Sequence, residues 1–116
     1  MSKSETDHRP WGSFTVLDES TTHKVKRINV NPQQKLSLQS HGRRNETWTV
    51  VVGVAHVRVG DKESDLESGE TIYIPKGTLH RLENRTDIPN NVTEVQTGDY
   101  FGEDDITRYE DLYSRS

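Results

Sequence analysis

Four side chains in this sequence belong to the types that hold a metal ion. Gln39, His41 and Glu46 lie in "LQSHGRRNE", and His80 lies in "GTLHRLEN". On a strand, Gln39 and His41 project to one face, because side chains alternate. Glu46 follows five residues later and comes within reach if the chain turns through "GRRN" and re-enters as the next strand. His80 sits on a later strand, beyond "IPKGT". Three neutral or anionic nitrogen and oxygen donors with one amide oxygen suit a borderline divalent ion. Zn²⁺ fits best, with Mn, Fe, Co and Ni as alternatives. Zero cysteines exclude thiolate ligands and disulfides alike.

The elements that must position these residues read as strands. One alanine against eleven valines favours sheet over helix. Short alternating runs recur between turn signals: "SFTVLD", "THKVKRINV", "KLSLQSH", "TWTVVVG", "AHVRVG", "ETIYIP", "LHRLEN" and "VTEVQTG". Alternation predicts that Leu36, Leu38, Trp48, Val50, Val52, Ile72 and Ile74 face inward. His56, in "AHVRV", is expected on a sheet surface, away from the ligands. The tail predicts one helix, at about 105–113, with Asp104 or Asp105 as its N-cap. About eight short strands and little helix point to an all-β antiparallel jelly-roll barrel.

Length and composition limit the rest. A chain of 116 residues closes one core, so the expected division is a flexible 1–8 and a single domain over 9–116. Hydrophobic residues make up only 28% of the chain, which predicts a thin core, while a net charge of −4 argues against disorder. Basic residues gather at 24–44, with Lys24, Lys26, Arg27, Lys35, Arg43 and Arg44 and no acid among them. Acidic residues gather at 99–111. The basic stretch suits an anionic small molecule. Nucleic acid fits poorly, given the negative total charge and the lack of an aromatic array. No apolar run is long enough to span a bilayer, and "MSKSETDHRP" has no signal-peptide core, so the expectation is a cytoplasmic protein without a membrane partner.

The spacing around His80 adds a resemblance. In "GETIYIPKGTLHRLEN", Gly69, Pro75, Gly77, His80 and Asn84 fall at the offsets of the second cupin motif. Gln39–x–His41, Glu46 and Gly53 follow the first motif, with Gln where many cupins have His and with Gln33 in place of the leading Gly. The stretches "RPWGSFTVLD", "HKVKRINVNP", "RNETW" and "EVQTGDYFGEDDITRYEDLY" narrow this further. They resemble type II phosphomannose isomerase, the cupin domain usually fused behind a mannose-1-phosphate guanylyltransferase. No Gly-rich nucleotide loop is present, so nucleotidyl transfer is not expected of this polypeptide. The family usually reads "QMHHHRAEHW" where this chain reads "QSHGRRNETW", so Gly42, Arg43 and Thr47 replace three histidines.

The resemblance implies interconversion of mannose 6-phosphate and fructose 6-phosphate through a cis-enediol. Such a reaction needs a Lewis acid, a proton-shuttling base and a cationic phosphate pocket. Gln39, His41, Glu46 and His80 would serve as ligands. Glu94 is the first choice of base and the acids Glu103, Asp104 and Asp105 the second. Arg44, Lys26 and Arg108 are the phosphate candidates, with Arg81 as an alternative. The rival readings are a sugar-phosphate-binding cupin that keeps its metal without turnover, and a metal-dependent dioxygenase, which Gln39 disfavours. By the habit of small cupins, a homodimer is expected.

Overall fold

The computed structural model describes residues 5–110. Twelve strands appear in chain order: β1 (Thr6–Arg9), β2 (Gly12–Glu19), β3 (His23–Val30), β4 (Gln34–Lys35), β5 (Leu38–Ser40), β6 (Arg44–Val52), β7 (Ala55–Val59), β8 (Lys62–Leu66), β9 (Thr71–Ile74), β10 (His80–Asn84), β11 (Asn90–Gly98) and β12 (Thr107–Glu110). They build two antiparallel sheets. One has the order β1-β2-β3-β11-β6-β9, and the other runs β12-β5-β10-β7-β8, with β4 also on β10. The expected boundary between residues 8 and 9 falls inside β1, which pairs with β2. No helix among the described residues is long and apolar enough to cross a membrane.

Each inner face follows from alternation. On β6, Arg44, Glu46, Trp48 and Val50 are buried while Asn45, Thr47 and Thr49 are not. On β11, Asn90, Val92, Glu94 and Gln96 do the same. Trp48, Val50, Ile28, Val30 and Val92 from one sheet meet Ala55, Val57, Leu66 and Leu82 from the other. This closes a dry floor. Deleting a side chain such as Leu82 from it would cost about 2–5 kcal/mol. The thin core expected from composition is visible among the described residues, where thirteen buried hydrophobic residues stand against thirteen buried polar or charged ones.

Three expectations need correction. The predicted C-terminal helix is absent from the described part of its span. Thr107–Glu110 form β12 instead and pair with β5, while residues 111–113 lie outside the described residues. A free sheet edge at Leu38–Ser40 outweighs the weak helix preference of a Thr-, Tyr- and Asp-containing segment. Val52 is 52% exposed rather than inward. Val92 faces Val50 and Asn91 faces Val52, which leaves Val51 as the extra residue of a bulge. That extra residue reverses the parity of everything after it. Leu38 is buried yet lies outside the core cluster that Leu36 packs against. The irregular pair 36–37 resets the alternation between them. Ile74 is buried and Ile72 packs against the core, as expected.

His56 lies on the outer face of β7, where Nδ1 meets Asp65 and Nε2 meets Glu63, both at 2.8 Å. Partial burial pulls its pKa down, but the hydrogen bonds to Glu63 and Asp65 outweigh that, and the net shift is upward from 6.5. The stabilisation from a raised histidine pKa is present below 6.5 and is lost as pH rises through the raised value. Wild-type protein should therefore exceed His56→Gln in Tm by a few degrees at about pH 6, the range of exposed ion pairs. The gap should close as pH rises through the raised value. Thermal melts across that interval measure it, and a gap that widens with pH would contradict the assignment.

Candidate metal centre

β6 carries Arg44, Glu46 and Trp48 inward, and the turn before it delivers His41. β10 begins with His80. Gly69 and Gly77 take φ of 90° and 80°, a left-handed conformation that favours glycine in tight turns. The Gly77 amide donates to the His41 carbonyl at 2.7 Å, tying the turn before His80 to the turn that holds His41. Cross-strand partners share a face. Across one sheet, Lys24, Gln96, Glu46 and Ile74 form one row, and Lys26, Glu94, Trp48 and Ile72 the next. Across the other, Arg108, Gln39 and His80 form a third. The sheets enclose a cavity of about 160 Å³ lined by Gln39, His41, Glu46, His80, Glu94 and others.

His41, Glu46 and His80 are all buried, and one donor atom from each lies within 4.8 Å of the others. Glu46 Oε1 accepts from Trp48 Nε1 at 3.0 Å, and Oε2 accepts from Arg44 Nε at 2.9 Å. Each oxygen keeps a lone pair beyond these bonds. His80 donates Nδ1–H to the Thr78 carbonyl at 2.9 Å, so its lone pair is on Nε2, 3.8 Å from Glu46 Oε1. His41 Nδ1 lies 3.2 Å from Glu46 Oε2 and is buried without a hydrogen-bond partner. On its other side Nε2 accepts from the Arg44 guanidinium at 2.9 Å.

The electrostatics match a cation site. Burial, then the Arg44 charge, pushes the His41 pKa down to about 2. Burial also lowers that of His80. Both rings are therefore neutral and able to ligate. Burial first, then repulsion from Glu94, raises Glu46 to about 8, despite the opposing pull of Arg44. A carboxylate so disfavoured as an anion gains from a divalent cation beside it. Two neutral imidazoles, one of them with a buried nitrogen that has no hydrogen-bond partner, and one carboxylate fit a divalent ion. Gln39 stands beside His80 in the cavity wall. Its Nε2 donates to Ser37 O and Oγ, at 3.3 and 3.0 Å, which orients the amide and leaves its carbonyl end unbonded.

The other site candidates divide. Lys26, Arg44, Glu94 and Arg108 line the cavity with the ligand group. Lys26 and Arg44 are buried, as is Glu94, whose carboxylate accepts from Gln96 Nε2. Arg108 is exposed. Asp104 does not line the cavity and instead accepts from the Tyr100 hydroxyl. Arg81 points away, donating to the Leu36 carbonyl at 2.9 Å and to Glu110 at 3.0 Å. Asp105 clasps the backbone N–H groups of Gly42 and Arg43, at 3.1 and 2.9 Å. Of the three adjacent acids, only Glu103 reaches the cavity. Lys24, which the sequence places only in the basic stretch, is buried and lies 3.5 Å from Glu103 without lining the cavity; its parity with Lys26 and Ile28 is the sign of that burial. The positions of the three replaced histidines, Gly42, Arg43 and Thr47, lie outside the cavity lining.

His80→Ala should lower metal content at least about tenfold in protein loaded with Zn²⁺ and then desalted. His56→Ala should keep the wild-type value. Elemental analysis of both variants decides it, and equal loss in the two would remove the assignment.

The sequence matches the family described as mannose-6-phosphate isomerase C-terminal over residues 1–111. The xanthan biosynthesis protein XanB of Xanthomonas campestris pv. campestris strain B100 is 47% identical over 109 residues, covering 94% of this chain and 23% of that protein. Mannose-1-phosphate guanylyltransferase 2 of Escherichia coli O157:H7 is 48% identical over 105 residues, covering 90% of this chain and 22% of the relative. The chain thus spans less than a quarter of the length of these curated relatives. Among solved structures, the capsular polysaccharide assembling protein CapF of Staphylococcus aureus superposes with TM-score 0.81 at 22% identity, covering 95% of this chain and 35% of CapF. KdgF from Halomonas sp. gives TM-score 0.75 at 14% identity, covering 84% of this chain and 88% of that one. The family match and the relatives agree, and the chain, a barrel of two antiparallel sheets, belongs to the mannose-6-phosphate isomerase C-terminal family.

Proposed function

We propose that this chain is a metal-dependent aldose–ketose isomerase acting on mannose 6-phosphate and fructose 6-phosphate. One observation carries the reading: the His41, Glu46 and His80 group, the buried carboxylate Glu94 and the cations Lys26 and Arg44 all line one cavity. The family match supports the substrate class. His41, Glu46 and His80, with Gln39 beside them, would hold the ion, which we assign as Zn²⁺. When bound, it supplies Lewis-acid stabilisation of the negative charge that develops on the sugar oxygens.

The remaining work falls to the chain's own side chains. Glu94 takes the proton from C2 of the aldose, the hydroxyl proton passes from O2 to O1 across the cis-enediolate, and Glu94 returns its proton to C1 to give the ketose. Gln96 Nε2 bonds to one Glu94 oxygen, which leaves the other to reach the substrate. Burial of Glu94 keeps water from competing for that proton. Lys26 and Arg44 hold the phosphate, and Arg108 at the mouth guides it in. Trp11, Phe14 and Ile28 supply an apolar flank to the cavity against which a sugar ring packs.

The rival reading, binding without turnover, draws on the replacement of three family histidines. None of those positions lines the cavity, which favours the isomerase. The test is a coupled assay with mannose 6-phosphate on Zn²⁺-loaded protein, paired with NMR observation of solvent deuterium exchange at C2. Turnover should vanish with chelator and return with metal. Glu94→Gln should lower kcat by about 10²–10⁴-fold with little change in KM. Sugar-phosphate binding with no exchange at C2 would establish the non-catalytic reading instead.

A further inference from the structure

Lys24, Lys26 and Arg44 converge from β3 and β6 with side chains only 8%, 7% and 4% exposed. Burying three cations together is costly unless an anion sits among them. Glu103 is that anion. Its Oε1 meets Lys26 Nζ in a short contact and Lys24 Nζ at 3.5 Å, and its Oε2 lies 4.0 Å from Arg44 Nη1. Among the described residues, Lys26 pairs with no other carboxylate.

The match is incomplete. Arg44 Nη1 is buried without a hydrogen-bond partner. Even with Arg44 assigned to Glu46, Lys26 has only Glu103 among the described carboxylates, and Lys24 shares that group, its other partners being the Phe101 carbonyl at 3.3 Å and Glu19 at 4.0 Å. A phosphate monoester carries about −1.5 to −2 charges and three terminal oxygens, enough to meet both lysines and the spare guanidinium nitrogen. Glu103 also differs from its neighbours in freedom. Its side chain is 51% exposed, whereas the segment around it is pinned by buried Phe101 and by the Asp105 clasp on Gly42 and Arg43. Its carboxylate can therefore rotate into solvent while the segment stays docked.

We propose that Glu103 is a built-in competitor: its carboxylate fills the anion pocket of Lys24, Lys26 and Arg44, and a ligand phosphate binds by displacing it. This rests on the reading that the cavity takes a phosphorylated sugar, and it adds which group partners the buried cations between ligands. The pocket then discriminates by charge. A neutral sugar cannot displace Glu103, and a phosphorylated one can.

The test is calorimetric titration with inorganic phosphate, at fixed low ionic strength, of metal-free wild type, Glu103→Gln, Glu103→Ala and Lys26→Gln. Removing a competitor that occupies the pocket about nine-tenths of the time raises apparent affinity about tenfold. Glu103→Gln and Glu103→Ala should both bind phosphate about tenfold more tightly than wild type, and Lys26→Gln more weakly. Circular dichroism confirms that each is folded, and the second Glu103 variant covers a failure of the first. Unchanged or weaker binding in the Glu103 variants would overturn the competitor while leaving the isomerase reading intact. No binding by wild type or any variant would overturn it together with the phosphate pocket. Failure of the isomerase assay alone, with tightening observed, would leave the competitor standing on a binding protein.

Discussion

Glu46 is 2% exposed and lies in the same buried face as Glu94, one row away. Burial first, and the nearby Glu94 second, disfavour the anionic form of Glu46, which therefore needs support. The inner architecture answers that constraint. Trp48 Nε1 and Arg44 Nε each take one Glu46 oxygen, Gln96 takes Glu94, and two neutral imidazoles face the remaining lone pairs. The dry floor beneath, built on Val50, Val57 and Leu82, is what allows this polar layer to be held still. Without it, water would enter and the raised Glu46 pKa would relax.

Register does the positioning. A one-residue slip between β6 and β11 would send Glu46, Trp48 and Arg44 outward together, since parity reverses along the whole strand. Two features pin it. The bulge at Val51 fixes one end. At the other, Gly98 opposes Arg44 at φ 149°, so close that a Cβ would sit 2.3 Å from the Arg43 carbonyl oxygen. Only glycine fits there, so no other residue of β11 can replace it opposite Arg44.

Much of this was legible in the residues alone. The ligand candidates stood out by type and spacing, and alternation placed Trp48, Val50 and Ile74 correctly. It failed where the pattern carried no information. A run of three valines shows no parity break, so the bulge was invisible and Val52 was assigned inward. The order Glu103–Asp104–Asp105 lies in a loop without periodicity, where nothing local says which carboxylate turns inward. All three stand as candidates by sequence, yet Glu103 alone lines the cavity, where Lys24 and Lys26 meet its carboxylate. The tail was read as helix because its strand state depends on an edge of β5 that is distant in sequence. Lys24 was seen only as part of a basic stretch, although its parity with Ile28 pointed inward.

Arg44 donates to His41 Nε2, and a guanidinium can only donate. In this arrangement His41 must carry its own proton on Nδ1. An imidazole that ligates through Nε2 loses the guanidinium directly. One that ligates through Nδ1 shifts its proton to Nε2, where it faces another donor. By either route, ion loading and the Arg44–His41 bond exclude each other. An ion held by His41 would therefore release the Nη2 end of Arg44, whose Nη1 end already stands without a hydrogen-bond partner on the side of the lysines.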